Sequence, residues 1–160
     1  MTMRAQLAAW MQPVLQWRDG LPASGACAVV FPGYRPDLVQ VLAKAMDVHF
    51  IDFRQAIMAP LGWQAANLTP DALTATARQE MGHGRDVMLH NAEALLSLLS
   101  REQREEWFAS AATQTWARRL IIPLTLFAHD LPVEMLDRVF ELDAAKLPPE
   151  GILQRLASIA

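Results

Sequence analysis

Leu7, Trp10, Met11, Val14 and Leu15 recur at helical spacing, so an N-terminal helix with one apolar stripe is predicted over 3–17. Pro13 falls inside it and predicts a kink or a division. After a loop marked by Gly20, Pro22 and Gly25, residues 27–31 form a continuous apolar run, the pattern of a strand covered on both faces. Pro36 suits the first turn of the next helix and Asp37 its positive end, with Leu38, Val39, Val41, Leu42 and Met46 on the buried side. A second strand is predicted over 48–53. A short helix then runs from Arg54 to about Pro60-Leu61-Gly62, followed by loop.

Thr69-Pro70-Asp71 starts a helix with a capping hydroxyl and proline at its first position; it stops at Gly82-His83-Gly84. A third strand over 86–90 precedes a helix over 91–99. Ser100 and Gln103 then have the spacing of a capping box, and Trp107, Phe108, Ala111, Ala112 and Trp116 form the core side of the helix they open. The fourth strand is predicted over 120–127, with Pro123 implying a bulge or an end. A short helix over 132–136, a fifth strand over 139–142 and a C-terminal helix over 149–160 complete the pattern. Strands alternating with helices predict an α/β fold: a five-stranded, mostly parallel sheet flanked by helices. The sheet core spans 26–143 of a single domain over 1–160. A P-loop NTPase core and a flavodoxin-like sheet both use five strands, so the count does not choose between them.

Composition supports one packed domain: 52% of the 160 residues are hydrophobic and 19% charged. A net charge of −3 without basic runs argues against direct nucleic-acid contact, which phosphate neutralisation drives. Cys27 is the only cysteine, so no internal disulfide forms. No stretch reaches the roughly 18–20 apolar residues of a membrane helix. A cytoplasmic protein without membrane contact is the expectation.

Two segments carry candidate chemistry. The first, Ala26 to Leu38, breaks an apolar run at Pro32-Gly33 and leads into a helix, the layout of a phosphate-binding loop. It lacks the Gly-Lys-Ser/Thr that would hold phosphate and magnesium. The chain's lysines, Lys44 and Lys146, both lie elsewhere. Gly33 permits a tight turn, Tyr34 follows it, Arg35 offers a guanidinium at the helix start, and Pro36 has no N–H to donate. These residues form either an anion- or nucleotide-binding turn or a purely structural one. The second segment, Val87 to Glu93, is an apolar strand ending in polar residues, as in Walker B. His90 or Asn91 stands where the magnesium aspartate belongs. Glu93 either orients a water or complements the dipole of a helix that Asn91 caps. With both the phosphate-side and metal-side groups missing, a pseudo-NTPase is predicted.

The string Leu89-His90-Asn91-Ala92-Glu93-Ala94-Leu95-Leu96 resembles the Leu-Asp-Asn-Ile-Glu-Ile-Leu-Phe Walker B of BrxF, the small P-loop protein of some BREX phage-defence systems. The resemblance implies a P-loop NTPase-like fold, here without intact Walker motifs. It also implies an accessory subunit that docks onto another protein, such as a larger ATPase of a defence or DNA-processing complex. The alternative is a residual nucleotide-binding ATPase using Arg35 and Glu93. No cofactor is expected, and no metal, because His49, His83, His90 and His129 have no ligand-like spacing. Asp52 either binds a ribose or caps the next helix. Arg101, Arg104, Arg118 and Arg119 form either a partner or anion-reading edge or solvated helix ends paired with Glu102, Glu105 and Glu106. Trp10, Trp63, Arg118 and Arg119 are the candidate partner-binding residues.

Overall fold

The computed structural model describes residues 9–150. Residues 151–160 of the predicted C-terminal helix (149–160) and the first residues of the N-terminal one lie outside this range. A 3-10 turn, Ala9–Met11, leads into α1 (Gln12–Asp19). The change from 3-10 turn to α-helix falls just before Pro13, so the segment is divided there, as predicted. Pro13 occupies the first turn, where its missing N–H has no intrahelical partner to lose.

Five strands form one parallel sheet: β1 (Gly25–Val30), β2 (His49–Asp52), β3 (Val87–His90), β4 (Arg119–Leu124) and β5 (Val139–Glu141). Their order is β2-β3-β4-β1-β5. A flavodoxin-like sheet keeps β1 beside β2, so this order sets that alternative aside. The helices are α2 (Pro36–Met46), α3 (Asp71–Met81), α4 (Ala92–Leu96) and α5 (Arg101–Thr113). Side chains alternate along the strands and divide the core in two. On one face Ala26, Ala28, Leu120, Ile122 and Leu89 meet Leu73, Leu95, Trp107 and Phe108 of α3, α4 and α5. On the other, Cys27, Val29, Met88 and Ile121 meet Val14, Leu38, Leu42 and Met46 of α1 and α2. Burial pushes the Cys27 thiol up to about 12, which keeps it protonated and inert.

Local chemistry accounts for several departures from the predicted bounds. Pro70 is already helical (φ −57°, ψ −25°), and backbone carbonyls of Thr69 and Pro70 receive the N–H groups of Ala72 and Leu73. The Thr69 hydroxyl therefore does not cap α3. Helical turns continue beyond Gly62, with a 3-10 segment over Gly62–Asn67. α4 ends at Leu96 because Leu98 and Leu99 tighten onto the Leu95 and Leu96 carbonyls in 3-10 fashion. The Ser100–Gln103 capping box forms in both directions.

Pro123 sits inside β4 in register with Val29, without a bulge. The Leu124 carbonyl accepts from the Phe31 N–H at 2.7 Å, so by alternation Pro123 turns its nitrogen toward β3. Pairing of β3 with β4 has ended by then, at Met88–Ile121, and no donor is needed. The two strands part beyond this point. Gly25 has a real glycine requirement: its φ is +118°, and a Cβ would lie 2.7 Å from the Arg138 guanidinium.

Among the described residues, no helix is long and apolar enough to cross a membrane.

Candidate functional site

β1 hands the chain to α2 on one face, whereas β4 hands it to Phe127, Leu131 and Met135 on the other. Neighbouring strands whose connections diverge leave a crevice at their carboxyl ends, the usual ligand position of open α/β sheets. Phe31, Tyr34, Arg35, His90, Asn91, Glu93, Pro123 and Thr125 line this crevice. Both candidate segments of the sequence therefore meet here: Tyr34, Arg35, Asn91 and Glu93, from beyond the ends of β1 and β3, line the crevice, whereas Gly33 does not.

The side chains of Tyr34, Arg35, Asn91 and Glu93 already have partners within the chain. Tyr34 lies over His90 with ring centroids 6.1 Å apart and planes 15° from parallel. Its hydroxyl donates to Asn91 Oδ1 at 3.1 Å, and Asn91 Nδ2 donates to Asp52 Oδ1 at 2.9 Å. Asp52 also accepts from the Gln55 N–H at 3.2 Å, the capping role considered for it. One chain of hydrogen bonds thus ties together the segments that follow β1, β3 and β2. Asn91 adopts a left-handed conformation, φ 62°, which asparagine tolerates better than most residues. Its amide is committed to Asp52 and Tyr34, so it does not cap α4 as predicted.

Arg35 clasps the Asp37 carboxylate with two bonds, 3.1 and 3.0 Å, and donates to the Pro148 carbonyl at 2.8 Å. The guanidinium holds the Asp37 carboxyl below its ordinary range. Gly33 has ordinary backbone geometry, and a Cβ there would meet open space. The turn does not depend on glycine's conformational freedom, contrary to the expectation.

Glu93 makes the densest contact of the site. Its Oε1 accepts from the Thr125 N–H at 2.7 Å, and its Oε2 from Leu126 and Phe127 at 2.6 and 2.8 Å. Three successive N–H groups wrap one carboxylate where β3 and β4 diverge, which is also why β4 stops at Leu124 rather than Phe127. His90, by contrast, is 4% exposed and its Nε2 has no hydrogen-bond partner. Desolvation lowers its pKa, opposed by the negative charge of Asp52.

The remaining candidates are dispersed. Trp10 is 5% exposed and belongs to the core, so it offers no docking surface. Trp63 is 82% exposed, as its loop-like sequence context suggested. Arg118 is exposed. Arg119 instead fastens the amino end of the sheet, donating to the Leu21 and Pro22 carbonyls and to Asp86. Arg104 bonds the fully buried Asp130 carboxylate and lies over the Phe127 ring. No group of three or more His, Cys, Asp or Glu side chains able to hold a metal occurs among the described residues.

Sequence reasoning missed Arg54, Ser97 and Leu126, which line an outer groove continuous in residues with the crevice. The available signal was position: each follows a strand end or the helix after it, where such sheets gather their surface groups. No protein-family model matches this chain, and no curated protein is detectably similar to it.

Proposed function

We propose that this chain is a non-catalytic protein on a pseudo-NTPase frame, acting through protein–protein contacts as an accessory or regulatory subunit. The resemblance to BrxF directs the reading toward a phage-defence or DNA-processing complex with a larger ATPase. The observation that carries it is the self-sealed crevice. Tyr34 stacks on His90 and bonds Asn91, Arg35 is held by Asp37 and Pro148, and both Glu93 oxygens are taken by backbone N–H groups. Placement of β4 between β1 and β3 supports the P-loop-like frame, since it brings the ends of β1 and β3 to one crevice. A residual ATPase built on Arg35 and Glu93 would first have to break five hydrogen bonds from Arg35 and to Glu93, apart from the Asp37 clasp's second arm.

Isothermal titration calorimetry with ATP, ADP and GTP in the presence of magnesium tests this. No saturable heat and no phosphate release are expected. Micromolar binding or steady turnover overturns the reading.

A further inference from the structure

Beside the crevice, and sharing Tyr34, Asn91, Glu93 and Thr125 with it, lies an open groove of about 240 Å³ whose other lining residues are Arg54, Ala94, Ser97 and Leu126. Two of its apolar walls face solvent: Tyr34 is 55% and Leu126 60% exposed. The volume falls below the roughly 300–1,000 Å³ of small-molecule sites, and suits a single anchoring side chain better than a whole cofactor. Anchors of this kind dominate protein–protein affinity.

Charge selects what accompanies the anchor. Arg54 is exposed and, among the described residues, joins no ion pair or side-chain hydrogen bond. The nearby carboxylates do not engage it. Asp52 is bonded to Asn91 and the Gln55 N–H, and Glu93 to the N–H groups of Thr125, Leu126 and Phe127. Arg54 therefore presents a guanidinium fork to whatever enters, and on an unmodified protein segment the group that pairs with it bidentately is a carboxylate.

We propose that this groove takes a partner-protein segment in which a bulky apolar side chain stands beside an aspartate or glutamate. The apolar side chain seats between Tyr34 and Leu126, and the carboxylate pairs with Arg54. The inference rests on the protein–protein reading above and gives it a place and a chemistry.

Selection of phage-displayed random peptides on the full chain tests it. Enriched peptides should pair an acidic residue with a neighbouring Leu, Phe, Met or Trp. A synthetic copy of the best peptide, followed by fluorescence anisotropy, should lose roughly tenfold affinity on Arg54→Glu. Leu126→Lys should weaken it similarly, whereas Lys146→Glu, with the same charge change as Arg54→Glu, should leave it intact. Circular dichroism of each variant checks the fold. Absence of enrichment, enrichment of basic peptides, or binding to the Arg54→Glu and Leu126→Lys variants as tight as to the wild type overturns the proposal. These outcomes leave the non-catalytic reading standing, because that reading fails only by nucleotide binding or turnover.

Discussion

His90 shows how one side chain can be both well packed and poorly satisfied. Tyr34 and Phe50 enclose its ring, yet its buried Nε2 finds no partner. An unmet buried polar atom costs about 1–3 kcal/mol. His90→Phe keeps an aromatic ring in the stack and removes that atom, so the variant should be more stable by about 1 kcal/mol near neutral pH. The pH dependence has a definite sign. Because the native pKa lies below 6.5, the unfolded chain takes up the proton first as the solution is acidified. Wild-type stability thus falls from about pH 6.5 down to the lowered native value, and Asp52 partly offsets the loss. Urea unfolding of both proteins at about pH 7.5 and about pH 5.5 should show the gap widening at the lower pH. A constant gap would mean that His90 is not the group responsible.

At the scale of elements, Glu93 fastens α4 to the segment leaving β4. A carboxylate that accepts three N–H bonds is worth more than a neutral acceptor in the same place. Glu93→Gln retains one oxygen and puts a donor against N–H groups, and should cost about 2 kcal/mol. Thermal unfolding should drop by roughly 4–8 °C. An unchanged midpoint would mean the carboxylate does not hold the strand ends together.

Legibility from sequence divides along the same line. The capping box of α5 was readable because Ser100 and Gln103 are three residues apart and satisfy each other. The central strands were readable as apolar runs. Glu93 and its partners were not, because they are brought together by the order of strands. Hydrophobic pattern does not encode that order. Asn91 failed as a cap for a similar reason: a distant aspartate competes for the same amide.

Across the whole molecule, the two tryptophans proposed as docking anchors have opposite fates, and one experiment separates them. Trp10 closes the core on the α1 side, so Trp10→Ala should cost about 3–5 kcal/mol. Trp63 stands in solvent, and Trp63→Ala should change stability by less than about 0.5 kcal/mol. Chemical denaturation of both variants measures the contrast; a large loss for Trp63→Ala would place it in a packed site. Sequence distinguished them in part, since Trp63 sits beside Gly62 and outside an amphipathic stripe. It did not reveal that the stripe containing Trp10 was core rather than a partner surface, because both present the same periodicity.

The Tyr34 ring over His90 belongs to the stretch that delivers the chain into α2, and Arg35, the next residue, is anchored at both Asp37 and Pro148. Grafting a lysine and a serine into that bend would alter its chemistry without making room. Re-aiming that bend means moving the start of a helix whose inner face, Leu38, Val39 and Leu42, is packed into the core, a remodelling far beyond the reach of one or two exchanged side chains.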